Sequence, residues 1–144
     1  MEFKETFVGD FAAILVKLNI VTQQESQALQ NSFDQAEQEN FDDFLVEEGL
    51  VEESELLRAL SQYYKVPSFD VNGYFFSNFE LRKFPKDFLL RNNIIPVEVD
   101  ENMLLVVASR PEEPGLEAAI GRHVSYDINF YVGIARDIQD AVKE

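Results

Sequence analysis

The stretch Phe41-Asp-Asp-Phe-Leu-Val-Glu-Glu-Gly-Leu-Val-Glu-Glu-Ser-Glu-Leu-Leu-Arg-Ala-Leu60 decides the fold, because its apolar frame already occurs once, 30 residues earlier. Phe41, Leu45, Val46, Leu50 and Val51 answer Phe11, Leu15, Val16, Ile20 and Val21, each pair 30 positions apart. Both copies read as helix, break, helix. The breaks are Asn19 and Gly49, the two residue types that most readily take a left-handed backbone at a helix end. Beyond the break a one-residue slip is expected, with Ala28-Leu29 answering Ala59-Leu60 if the first copy has lost a residue. Two copies are too few to close a solenoid core, so a bundle of four short helices is expected.

Outward from the repeat, Phe7, Phe11, Ile14, Leu15 and Leu18 fall at helical spacing and define one buried stripe over 7–18. Thr22 reads as an N-cap with Glu25 as its capping-box partner, opening a Gln-rich helix through about Glu37. The second copy runs from Phe41 to Glu48 and resumes from Glu52 to Tyr64, with Leu56, Leu57 and Leu60 inward. Pro67, Asn72-Gly73 and the aromatics Phe69, Tyr74, Phe75 and Phe76 mark an ordered connector. Pro85 is expected in the first turn of a helix through Arg91. Ile94–Val99 and Met103–Ala108 read as strands joined by the polar turn Asp100-Glu101-Asn102. A helix near Leu116–Ile120, a strand over Ser125–Val132 and a helix over Ala135–Val142 follow. The expected fold class is α+β. A helical subdomain over 1–64 with the tandem repeat leads, through a connector over 65–84, to a small α+β subdomain over 85–144, on which the bundle packs. Its three-stranded sheet is covered by helices on one face. The aromatics from Tyr63 to Phe79 are expected to fill the packing between the two parts, in preference to forming a binding surface.

Composition narrows the function. Of 144 residues, 46% are hydrophobic and 13 are Phe, ample for a packed core. The net charge of −15 argues against nucleic acid, whose affinity rests on Lys and Arg displacing counterions, and against anionic membrane surfaces. Residues 1–64 carry 14 acidic and three basic side chains, a net of −11, while residues 65–144 carry 13 and nine, a net of −4. Either a basic partner surface or a solubilising acidic coat accounts for this. Zero Cys removes disulfides, thiol nucleophiles and thiolate metal sites. The run Phe11–Val16 is too short for a signal-peptide core, and no stretch approaches the ~20 apolar residues of a membrane span. A cytoplasmic protein is expected, with Met1 read as a natural start.

No catalytic machinery is visible. His123 is the one histidine, so neither a His-based triad nor a two-His metal site is possible within one chain. Asp42-Asp43 and Glu47-Glu48 lack the alternating ligands and Gly turn of a calcium loop and read as a solvated helix face. The six glycines form neither Gly-x-x-x-x-Gly-Lys-[Ser/Thr] nor Gly-x-Gly-x-x-Gly. No enzyme activity, cofactor or metal is expected. Arg82, Lys83, Lys86 and Arg91 form the one basic cluster, able to pair with the acidic helical half or with an external ligand.

The 41–60 segment, followed by Val66-Pro67 and Phe69-Asp70-Val71, resembles the amino-terminal domain of the type II secretion and type IV pilus assembly ATPases, the MshE-type N-terminal domain. Phe84-Pro85 through Asn92, Ile95-Pro96-Val97, Leu104–Val107 and the last strand and helix follow that family's order. The resemblance implies a non-enzymatic interaction and regulatory module. Its protein partner would be a secretion or pilus ATPase or an inner-membrane platform protein. It also implies an alternative, a cyclic di-GMP receptor domain. The family's tandem motif, Arg-Leu-Gly-x-x-Leu-Val-x-x-Gly followed by two Leu and a Gln, would place the ligand on Asn40, Leu45, Val46, Gly49, Leu56 and Leu60. Arg110 would join them from the turn after the second strand. The motif's Arg falls on Asp10 and Asn40, its first Gly on Ala12 and Asp42, and its Gln on Tyr63. Where some members have Ala-Asp-Pro, this chain has Ser109-Arg110-Pro111. An Arg clamps phosphate with charge-assisted bonds, and acidic or amide side chains in its place remove that attraction.

Overall fold

Two turns of identical construction organise the amino-terminal unit of this computed structural model, which describes residues 3–35 and 41–143. Helix α1 (Phe3–Lys17) ends where the Ile20 amide donates to the Leu15 carbonyl at 2.9 Å and the Asn19 amide to that of Val16 at 2.9 Å. Helix α3 (Phe41–Glu47) ends the same way, Leu50 to Leu45 at 3.0 Å and Gly49 to Val46 at 3.0 Å. Both are Schellman turns around a left-handed residue, Asn19 at φ 61° and Gly49 at φ 68°.

Each turn hands over to a capping box. The Thr22 amide donates to Glu25 Oε1 at 2.7 Å and the Glu25 amide to Thr22 Oγ1 at 3.1 Å, opening α2 (Gln23–Gln35). Glu52 and Glu55 repeat the box at α4 (Glu53–Tyr64), the Glu52 amide donating to Glu55 Oε1 at 3.0 Å. The two boxes lie 30 residues apart, so no residue is lost between break and helix. The expected slip is corrected: Leu29 occupies the position of Ala59. Helix α2 is assigned to Gln35, two residues short of the expected end, which lies with Asn40 outside the described residues.

Helix α1 packs on α2 and α4, and α3 on α4. Phe11, Leu15, Leu45, Leu56 and Leu60 are fully buried there. Phe41 meets Phe11 and Phe33 edge-on at 6.3 and 5.0 Å, favourable aromatic geometry. Helix α4 stops at Lys65, held left-handed at φ 62°, ψ 38°. An L-residue with a β-carbon is penalised there by about 1–2 kcal/mol, partly offset by glycine's greater freedom when unfolded. Lys65→Gly is therefore expected to raise stability by about 0.5–1 kcal/mol, seen as a higher urea midpoint with unchanged slope; a lowered midpoint would contradict the left-handed cap.

The chain divides into two compact units, 1–65 and 66–144. In the second, β1 (Ile94–Asp100) and β2 (Met103–Ala108) form an antiparallel hairpin, Asp100 facing Met103. Strand β3 (Asp127–Val132) lies parallel to β2, from Met103 opposite Asp127 to Ala108 opposite Val132. A parallel pair needs a crossover, supplied here through helix α7 (Leu116–Gly121). The order β1-β2-β3 makes β1 an edge, where Pro96 can lack an N–H and the register shifts between Pro96 and Glu98.

The connector is more structured than expected. Ser68 bridges to Val132 in parallel fashion, and Asn78–Leu81 forms a short helix, α5. Pro85 is the N-cap of α6 (Lys86–Asn92) at φ −61°, ψ 137°, one position before its expected first-turn place. The last helix, α8 (Ala135–Lys143), lays Ala135, Ile138 and Val142 against β1, β2 and α6. Ile94, Ile95, Leu104, Val106, Val107 and Ile120 complete a core below 2% exposed.

Candidate functional site

The repeat's turns are the first candidate surface. Leu45, Leu56 and Leu60 are fully buried in the first unit, Leu45 on α3 and the other two on α4. Val46 is half-buried, Leu50 is 41% exposed, and Gly49 lies open, with no atom within 4 Å of the place a β-carbon would take. The first copy presents Val16 and Ile20, both half-buried, in the equivalent places. What reaches solvent at each turn is therefore a small apolar face. Arg110 sits in the second unit, exposed, in the loop after β2, where its carbonyl accepts from the Glu113 amide at 3.0 Å.

Charge around the second turn is negative, while the first turn carries exposed Lys17 and the Arg58 guanidinium beside acidic groups. Asp10, Glu47, Glu48 and Glu52 are exposed. Asp42 does not belong to the solvated face expected for it: it is 6% exposed, turned inward on α3. Sequence reasoning also passed over Arg58, whose Nη2 on α4 donates to the Leu18 carbonyl at 3.0 Å and so caps the end of α1. Its signal was its solitude in an acidic helix, the one cation between Lys17 and Lys65.

Two members of the basic cluster, Lys83 and Arg91, make local contacts. Lys83 Nζ lies 3.2 Å from Glu80 Oε1, donates to the Tyr126 hydroxyl at 2.6 Å and stands 4.3 Å from the Phe79 ring centre. The Tyr126 bond, and then the Glu80 carboxylate, hold its ammonium above the ordinary lysine range. Arg91 pairs with Asp87 one helical turn away, at 3.2 Å. His123 is exposed, its ring tilted against Phe84 and Phe88 at 5.5 and 4.6 Å. Among the described residues, no group of three His, Asp or Glu side chains could hold a metal ion, and no helix is long and apolar enough to cross a membrane.

The aromatic run divides. Tyr63 packs edge-on against Phe7 at 5.0 Å in the first unit, while Tyr74 meets Phe69 and Phe76 at 5.2 and 4.8 Å in the second. Phe75 and Phe79, expected to be packed, are instead 97% and 69% exposed.

Paired helix–turn–helix copies followed by a small mixed sheet with a carboxy-terminal helix are a fold shared with solved structures. The chain superposes on the structure of MshE with cdg with a TM-score of 0.70 at 18% identity, covering 92% of this chain and 96% of that one. It superposes on the N-terminal domain of XpsE in two crystal forms. One gives a TM-score of 0.63 at 16% identity, covering 99% of this chain and 96% of that one. The other, form I4122, gives 0.54 at 16% identity, covering 99% and 97%. The MshEN domain family model matches residues 78–144. No curated protein matches the sequence.

Proposed function

We propose that the chain is a non-enzymatic docking and regulatory module of a cytoplasmic secretion, pilus or motility machine. Its partner is an assembly ATPase or an inner-membrane platform protein. The observation that carries this reading is the state of the repeat. Its apolar frame is whole, and Phe11, Leu15, Val21, Phe41, Leu45 and Val51 of it are buried in a fold shared with the XpsE N-terminal domain. The places where an anion clamp would sit hold Asp10, which is exposed, together with Ala12 and Asp42, which are buried. Immobilised protein exposed to a lysate of its source cells should enrich an ATPase or a platform protein over controls. Enrichment of neither would sink the proposal.

The likeness to MshE with cdg supports a second reading, a cyclic di-GMP receptor domain. Like-charge repulsion opposes it at the second turn, where a dianionic ligand would meet exposed Glu47, Glu48 and Glu52. Titration calorimetry with cyclic di-GMP is expected to show no heat, and a large ligand excess no thermal shift. A ligand at ~100 times its dissociation constant would stabilise the fold by about 2.7 kcal/mol, a shift that would replace the docking reading with the receptor one.

A further inference from the structure

The second unit holds a groove of about 250 Å³ between a turn and the last helix. One wall is the turn Val71–Tyr74, closed by the Tyr74 amide donating to the Val71 carbonyl at 3.3 Å, with Gly73 at φ 75°. The other wall is α8, through Asp137, Asp140 and Ala141. Asn72 Nδ2 donates to Asp137 Oδ2 at 3.1 Å, tying the two walls together across 65 residues of chain. The groove is therefore held by both the turn and the helix.

Phe75 stands on its rim, 97% exposed. Its neighbours are fixed: Tyr74 stacks edge-on with Phe69 and Phe76, and its hydroxyl reaches Glu98 Oε1 at 3.5 Å. With the partly exposed Tyr74 ring beside it, Phe75 gives the groove a contiguous apolar rim, and apolar surface of that kind beside a concavity marks a contact site. Asp137 is buried and bonded to Asn72, so the charge the groove presents to solvent is the exposed carboxylate of Asp140, and no Lys or Arg lines it. That selects the occupant. Anionic ligands and lipid surfaces would meet like charge, and so would a second copy of a chain of net charge −15.

We propose that this groove docks a basic amphipathic segment of a protein partner, an apolar side chain seated against Phe75 and Tyr74 and a Lys or Arg facing Asp140. The proposal rests on the docking reading for the class of partner, and adds where the partner binds and what chemistry it carries. Phe75 and Asp140 are exposed, so Phe75→Ala and Asp140→Lys should leave the fold intact, as circular dichroism would check.

The probe is a labelled amphipathic peptide of leucine and lysine, with a leucine–glutamate peptide of equal length as control. Amide resonances of residues 71–76 and 137–141 should shift on titration with the lysine peptide alone. Each variant should weaken its binding about tenfold or more, and added salt should weaken it further. Equal binding to wild type and both variants would overturn the proposal, as would shifts confined to α1–α4 or no binding at all. Loss of a concentration-dependent dimer in Phe75→Ala would overturn it too, assigning the groove to self-association. In the lysate experiment, a platform protein retained by Phe75→Ala would refute the groove and leave the docking reading standing. Peptide binding at the groove with no captured partner would do the reverse.

Discussion

Leu60→Ala is expected to destabilise the helical unit by about 2–5 kcal/mol, the cost of a buried Leu truncation that leaves a cavity. Leu60 is 0% exposed on α4, in the core that also takes Leu15, Leu45 and Leu56. Leu50, at the second turn and 41% exposed, supplies the contrast: Leu50→Ala should stay within about 0.5 kcal/mol of wild type. Because the chain forms two units, one global transition is not assumed. Hydrogen exchange read separately on amides of α4 and of β2 shows which unit opens. Loss of protection in α4 with β2 unchanged is the expected result. If the two variants behaved alike, the buried seam would not be what holds the repeat together. The same argument explains why Leu45→Ala and Leu60→Ala are poor probes of ligand binding: both truncate fully buried side chains and destabilise the unit itself.

Gly133→Ala is expected to cost the second unit about 1–3 kcal/mol, the range for overfilling a packed site. A β-carbon there would come within 2.6 Å of Val107 Cγ1 and 3.3 Å of the Phe69 carbonyl oxygen. Val107 is 0% exposed and β-branched, so it has little freedom to turn aside. Phe69 is pinned as well, its amide donating to the Val132 carbonyl at 2.9 Å. The partner test is Val107→Ala, which removes the obstructing methyl. In a double-mutant cycle the combined variant should lose less stability than the two single losses added together. Strict additivity in urea denaturation would show that the backbone had moved apart and that the close approach is not retained in solution.

Much of the fold was legible because its signals are short-range. Thr22 with Glu25 marks a helix start, and Asn19 and Gly49 mark helix ends, through hydrogen bonds closed within six residues of chain. The strands showed themselves as β-branched runs on either side of Glu101-Asn102. Helix α5 was hidden: four residues, Asn78–Leu81, give no room for a 3.6-residue period to declare itself. Asp42 was misread because an acidic residue beside Asp43 and before Glu47-Glu48 looks solvated, while its burial depends on how α3 seats against the rest of the unit. Tyr74, Phe75 and Phe76 are chemically alike and adjacent, yet one of the three rings stands in solvent and the other two do not stand fully clear of it. No local rule separates them.

The candidate site divides along the same line. That the repeat keeps its apolar frame and carries Asp10, Asn40 and Asp42 where the related motif has cations or glycine is a statement about residue order, complete before any coordinate is known. The groove is not. Its walls come from a turn at Val71–Tyr74 and a helix beginning at Ala135, joined by one amide–carboxylate bond whose partners are 65 residues apart. The sequence by itself determined the longer helices, the Thr22–Glu25 cap, the breaks at Asn19 and Gly49 and the missing anion clamp, because each is set by side chains acting on backbone a few residues away. Only the tertiary structure decided that β3 runs parallel to β2, that Gly133 lies under Val107, and that Phe75 overlooks Asp140. Those depend on which distant segments exclude water together, and that is a property of the folded chain as a whole.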